Sequence, residues 1–325
     1  MDFVSGIRSL LMIAVACVHA GAASAQTWPA RPVRLIVPFA PGGGVDSVSR
    51  YLAYKLSEQT AGTFVVDNRP GGGGVLGTEL VARAAPDGYT LLVSAPEFSI
   101  NPSMHSKLPY DPFKDFTYIS QLTAGQFMLA SHPSVPAQTV KELIALAKAR
   151  PGKLTYGSSG TGGINHLAGA LFQSMTGIQW LHIPFKGAGP STIGLIGGHI
   201  DFVFASTIGL VGPAKSGKVH PIAVTGSERF TEMPEVPTIA ESGVPGYVVT
   251  GWYGFYAPAG TSSDIVQRLH TESRRALNSP EVVEKLRKSG NVPVVSSPAE
   301  FAAFMRAEID KWAKVIRDEK LAKID

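Results

Sequence analysis

Three stretches of the sequence could hold a small anion without any basic side chain. They are Pro41 to Asp46 (PGGGVD), Pro70 to Gly77 (PGGGGVLG) and Ser158 to His166 (SSGTGGINH). Each sits where a β-rich run gives way to a helical pattern. A helix start offers unpaired N–H groups and the positive end of the peptide dipole. Glycine, lacking a Cβ, lets a ligand approach that backbone closely. Together they suit a carboxylate or a phosphate. Any one such loop reads equally well as an ordinary strand-to-helix turn. Three in one chain, at the carboxyl ends of strands where open α/β sheets take their ligands, point to a binding cleft.

Other chemistries fail on residue detail. Gly212 to Lys218 nearly completes a phosphate loop, but Val219 stands where a magnesium-binding Ser or Thr is required, and the stretch follows a helical pattern rather than a strand. Asn165 replaces the third glycine of a dinucleotide fingerprint. No G-x-S-x-G elbow surrounds Ser158 or Ser159. His166, His182 and His199 lack metal-ligand spacing, so no metal site and no cofactor is expected. Asp46 reads as a helix cap sooner than as a general base.

The elements that would position these loops alternate strand and helix, which argues for α/β layers around parallel strands. Val33 to Phe39, Thr63 to Val66, Tyr89 to Ser94, Leu154 to Gly157, Ile200 to Ala205 and Ile222 to Thr225 read as strands. Val48, Leu52 and Leu56 give one apolar helix face, and a helix is expected from about Val75 to Ala84. Thr139 with Glu142 makes a capping box for a helix ending near Arg150. Leu167, Leu171 and Met175 mark a helix that Gly177 can end. The C-terminal part is mostly helical. Ser279-Pro280 and Ser297-Pro298-Ala299-Glu300 are helix starts, the second carrying the core stripe Phe301, Met305, Ile309, Trp312 and Ile316.

The first residues read as a secretory signal. Arg8 precedes the apolar run Leu10 to Val18, and Ala23-Ser24-Ala25 offers cleavage before Gln26. That run is about half of the roughly 20 apolar residues a spanning helix needs. Cys17, the only cysteine, lies in the segment to be removed and is a poor match to a lipid-attachment site, so the mature chain would have no thiol or disulfide. The net charge of +4 is spread along the chain, without the basic block that nucleic acid would require. The length of 325 residues favours two domains.

The order of PVRLIVPFAPGGGVD, VVDNRPGGGGVLG, APDGYTLLVS, LPYDPFKDF, LTYGSSGTGGINHLAG, HIPFKGAG, PTIAESGVPGY and FYAPAGT resembles the Bug-type receptors of tripartite tricarboxylate transporters, from about Trp28 to Trp312. The resemblance implies a type II-like periplasmic binding protein fold, two α/β lobes closing on a ligand about a two-crossing hinge. With crossings near Thr123 and Thr225, residues 26–122 and 226–325 would form the first lobe and residues 123–225 the second. It also implies that backbone groups of the glycine loops hold a ligand carboxylate, partly through water. By position, the first lobe contributes Phe39, Gly43, Gly44, Asp46, Gly73, Gly74, Gly77, Ser94 and Ala95. The second contributes Ser158, Ser159, Gly160, Thr161, His166, Lys186, Gly187, Ala205 and Ser206.

This sequence departs from the family pattern at Val45, where Thr is frequent, at Phe185, where Tyr is common, and in the order Ala40-Pro41. Pro96-Glu97-Phe98 falls in a segment that varies among family members, where the distal end of the ligand is expected. Glu97 could repel a second ligand carboxylate or bind an amine; as an isolated acid it reads first as a solvated loop residue. The expectation is thus a monomeric periplasmic receptor that passes a small carboxylate to membrane permease subunits and performs no chemistry. A sensor subunit and an exported enzyme on the same scaffold are the alternatives, the enzyme lacking any activated nucleophile or matched acid–base pair in the sequence.

Overall fold

The computed structural model describes residues 28–185 and 187–324. The expected signal segment, Cys17 and Lys186 lie outside the described residues. Ten strands of the described residues form one sheet in two halves, eight of them in a continuous hydrogen-bonded path and two branching from it. In the first half, β1 (Val33–Val37) lies between β2 (Phe64–Asn68) and β3 (Thr90–Ser94), parallel to both. In the second, β5 (Thr155–Ser158) pairs in parallel with β6 (Leu181–Pro184) and β7 (Phe202–Ser206).

Two long strands join the halves. β4 (Phe116–Ser131) runs antiparallel to β9 (Thr250–Pro258) from Phe116 to Gln126, then pairs from Phe127 onward with β7 and from Met128 onward with β8 (His220–Val224). β9 also pairs with β3, so it fills the gap between β3 and β4. A short β10 (Asn291–Pro293) adds to β4 at Thr123 to Gly125.

Helices cover both faces of each half. The period-two alternation of β1 sends Val33, Leu35 and Val37 to one face, where they meet Val48, Leu52 and Leu56 of α1 (Gly44–Thr60). Ile36 faces the other side, with Val81 of α2 (Val75–Ala82) and Phe98 of α3 (Glu97–Met104). In the second half, Tyr156, Phe202 and Phe204 pack on Leu143 of α4 (Val140–Ala149) and on Leu167 and Phe172 of α5 (Ile164–Thr176). Val203 and Ala205 face Leu195 of α6 (Ala188–Ile196) and Leu210 of α7 (Thr207–Lys215). The near-phosphate stretch is therefore a helix end and the turn after it: Gly212 lies inside α7, which ends at Lys215.

The local signals behave as expected at several ends. Thr139 and Glu142 form a reciprocal capping box, Gly177 ends α5 with φ +67°, and Ser297 and Glu300 cap α10 (Pro298–Asp318). Phe301, Met305, Trp312 and Ile316 of that helix are buried. Ser279 precedes α9 (Pro280–Lys288), which follows α8 (Ser263–Leu277), but its hydroxyl bonds back to the Ala276 carbonyl and caps nothing.

Two boundaries differ from expectation. Met233 and Val236 join the core of β7 and α6, and Ile239, Val244, Tyr247 and Val249 join that of α5, so residues 230–249 pack with the second half. On packing, the chain returns to the first half near Thr250 rather than at Thr225. Secondly, α10 serves both halves: Phe301 and Met305 belong to the first, whereas Trp312, Val315 and Ile316 join the core around Phe172.

Candidate functional site

The three glycine loops emerge at the carboxyl ends of β1, β2 and β5, and two of them meet across a cavity of about 300 Å³. Its walls are Phe39, Gly72, Gly73, Glu97, Asn101, Met104 and His105 from one side, Ser159 to Gly163 from the other, and Ile324. Of the residues expected from sequence, Phe39, Gly73, Ser159, Gly160 and Thr161 line it. Gly160 has φ +141° and Gly73 φ +62°, conformations that L side chains avoid, so glycine is needed to turn the backbone toward the cavity.

Other expected residues serve the loops instead of the wall. Asp46 is no N-cap. Gly43 holds that position, and Asp46 sits in the first turn, where it accepts from Gly42 N–H (2.9 Å), Arg50 Nε (2.9 Å) and Asn68 Nδ2 (3.0 Å). Burial alone would raise its pKa; these three partners outweigh that and hold the carboxyl below its usual range. Asn68 also donates to the Phe39 carbonyl, tying the first loop to the second. Gly44 faces Tyr253 of β9, whose hydroxyl occupies the space a Cβ would need. Gly77 is a packing glycine: a Cβ would lie 2.7 Å from the Arg69 carbonyl and 2.8 Å from Pro38. Gly74 (φ +92°) backs onto the Phe39 ring. Ser94 and Ala95 are buried at the end of β3, and the Ala95 carbonyl accepts from Phe98 N–H as α3 begins.

The Ser158 loop is held by neutral groups. The Ser158 hydroxyl is fully buried, lies 2.6 Å from His182 Nε2 and accepts from Gly160 N–H. The His182 ring stacks on that of His166 at 3.9 Å, and Gly162 N–H donates to His166 Nδ1 (3.1 Å). Tyr156 stacks beneath, its hydroxyl donating to the His166 carbonyl. Burial pushes the His166 pKa down to about 3, with His182 adding a smaller effect, and pushes His182 down to about 4, so both rings are neutral near pH 7. Ser158 and His182 have the spacing of a nucleophile and its base, but a hydroxyl with no exposed surface cannot present itself to a substrate in the cavity. His166 thus supports the loop and does not line the cavity. Ser159 bonds Asn165, and its carbonyl accepts from Gly187 N–H, which fixes the start of α6. Ala205 is core, and exposed Ser206 precedes α7.

Glu97 was expected to be a solvated loop acid. It is instead the first residue of α3 and a wall of the cavity. Its carboxylate lies near its own N–H and near that of Ile164, the first residue of α5, so it faces the opposite side of the cleft. Burial raises its pKa, with the two N–H groups opposing. Asn101, Met104 and His105 were missed because the α3 pattern, interrupted by Pro102, gives no helical signal. Ile324 reaches the mouth by bridging to His105, with its N–H on the Met104 carbonyl (2.7 Å).

A second cavity, of about 230 Å³, lies where β4 and β9 change halves; its Arg229 and Arg287 pair with Glu241 and with Glu232 and Glu284, so neither is free for a ligand. Among the described residues no cluster of three potential metal ligands occurs, and no helix is long and apolar enough to cross a membrane.

The model of the family "Tripartite tricarboxylate transporter family receptor" matches residues 48–321. The chain belongs to this receptor family. It is 36% identical to protein BugT of Bordetella pertussis over 316 residues, 96% of this chain and 97% of that one. Among solved structures it is similar to Rpa4515 of R. palustris with adipate (TM-score 0.81, 35% identity, 91% of this chain and all of that one). It is also similar to the periplasmic binding protein BugD (TM-score 0.78, 32% identity, 91% and 100%). MatC of Rhodopseudomonas palustris with bound malate has a TM-score of 0.77 at 31% identity, covering 89% and 100%. The α/β fold of these receptors is the fold expected from the sequence.

Proposed function

We propose that this receptor captures a small organic carboxylate in the cavity between its two sheet halves and delivers it, in the periplasm, to the membrane permease subunits of a tripartite transporter. One observation carries the reading: backbone from Gly72 and Gly73 faces backbone from Ser159 to Gly163 across a cavity of about 300 Å³, with the start of α5 beside it. That volume lies at the small end of ligand pockets. N–H groups at a helix start favour an anion. Homologues recorded with adipate and with malate support the ligand class. Two lobes around the cavity would close on the ligand, because binding energy shared between them favours the closed state.

Calorimetric titration with a panel of mono-, di- and tricarboxylates, together with native mass spectrometry of freshly purified protein, tests the reading. Gly160→Val, at φ +141°, should weaken binding by about one to two decades, the worth of one charge-assisted hydrogen bond. Lys186→Ala should weaken it about tenfold or less. If Lys186→Ala abolishes binding and Gly160→Val leaves it intact, the backbone cradle is wrong. Intact mass of periplasmic protein should start at Gln26, light scattering should give a monomer, and the ligand-loaded receptor should co-purify with the permease subunits.

A further inference from the structure

The cavity holds one ionisable side chain that a receptor for plain carboxylates would not need. Among its described lining residues Glu97 is the only carboxylate, and among the described residues no cation is paired with it. A carboxylate offers about four acceptor positions. The N–H groups of Glu97 itself and of Ile164 lie beside it. Among the described residues no side chain makes an ion pair or hydrogen bond with the rest, although the Tyr253 hydroxyl is near enough to feel the charge and His105 lines the same cavity. The Asn101 amide donates to the Gly73 carbonyl (3.1 Å), and the Ser159 hydroxyl to Asn165 (3.1 Å). The loops around it present N–H groups suited to an anion, so the cavity has a donor-rich part and, among the described residues, one half-buried carboxylate with no ion-pair partner; Lys186 lies outside those residues.

A ligand bearing a second carboxylate would place like charge beside that group, which is penalised in a desolvated site. A ligand bearing an ammonium would supply both the counter-charge and the donors. We propose that Glu97 selects ligands that carry a protonated nitrogen as well as a carboxylate, the nitrogen donating to Glu97 while the glycine-loop N–H groups hold the carboxylate. This inference rests on the receptor reading above and assigns its ligand class: amino acids and related zwitterions ahead of plain dicarboxylates. Specificity of this kind combines an attractive contact for one class with repulsion of the other. Burial, which raises the Glu97 pKa, is the same desolvation that an ammonium partner would relieve.

The test uses matched pairs in which an ammonium replaces a hydroxyl, aspartate against malate, or a hydrogen, 2-aminoadipate against adipate, titrated calorimetrically into the full mature protein at pH 7.5. The amino member should bind at least about tenfold more tightly in each pair that binds, and Glu97→Gln, which keeps the shape and removes the charge, should shrink the ratio to about threefold or less. The preference in the unmodified protein needs no variant, so a folding defect in Glu97→Gln, checked by melting, leaves the test standing. Tighter binding of malate or adipate overturns the inference while leaving the receptor reading intact. Malate or adipate binding that strengthens as pH falls from 7.5 to 5.5, without an amino preference, overturns it in favour of a protonated Glu97 that donates to the ligand. Failure of both amino members to bind overturns it whatever the other two do; failure of the entire carboxylate panel removes the receptor reading as well.

Discussion

The loops of the two sheet halves do the same job by opposite means. Around the first, full charges and tight packing set the backbone: Asp46 gathers Gly42, Arg50 and Asn68, Arg34 and Arg69 share Asp67, and Gly44 and Gly77 are squeezed against Tyr253 and Pro38. Around the second, Ser158, His182, His166 and Asn165 hold the turn with uncharged groups over an aromatic stack. A charged brace works here because the buried Asp46 carboxylate is met by three donors while Arg50 stays half exposed at the rim. A neutral brace can sit deeper, but only while its imidazoles remain unprotonated.

The largest expected effect lies on the packed side. Gly44→Val drives a side chain into the Tyr253 hydroxyl, and overpacking of this kind costs about 1–3 kcal/mol. It should also weaken carboxylate binding by about one to two decades, since the loop must move. Adding Tyr253→Ala should restore most of the stability in chemical denaturation; no restoration would mean that Gly44 matters for some reason other than this contact. Gly77→Ala, pressed between the Arg69 carbonyl and Pro38, should cost a similar 1–3 kcal/mol or somewhat less, with the Kd of the folded protein changed by less than about threefold.

The contrast between braces is sharpest in pH. His166 and His182 have folded pKa values near 3 and 4, below the unfolded value of 6.5. Between those limits the unfolded chain binds more protons, so stability falls as pH drops from about 6.5 toward 4, by up to about 1.4 kcal/mol per pH unit for each ring. Asp46 has a lowered pKa, so its contribution is present above the unfolded value and is lost only as pH falls through the still lower folded one. Melting measured from pH 7 to 4.5 should therefore show the gap between wild type and Asp46→Asn holding steady while the gap to His166→Gln narrows. Equal narrowing for both variants would break the distinction. The smallest effect is Ser158→Ala: losing a neutral buried hydrogen-bond group should cost about 1 kcal/mol, read by the denaturation midpoint, with little change in pH dependence while His166 stays.

Much of this was readable along the chain because it is local. The glycine loops, the capping boxes at Thr139 and Ser297 and the stripe from Phe301 to Ile316 each lie within a few turns of sequence. What escaped depends on partners far away. β4 mixes apolar positions with Ser120 and Gln121, and these are tolerable inside because Ser296, 176 residues from Ser120, accepts from the Ser120 hydroxyl and from Gln121 N–H. Glu97 looks like a surface acid until α5, reached 67 residues later, closes over it. Gly77 resembles a ligand-loop glycine, and only the approach of Pro38 shows that it is a spacer.

The placement of β9 has a consequence for how the chain is made. Counted from the N-terminus, β1, β2 and β3 can pair with one another early, but β9 separates β3 from β4 and is supplied by residues 250–258. Until then the inner edges of β3 and β4 stay open, and the first half of the sheet has no closed seam. Pairing across such long sequence intervals is slow to form. The gap between β3 and β4 is therefore sealed only after about four-fifths of the chain has been synthesised.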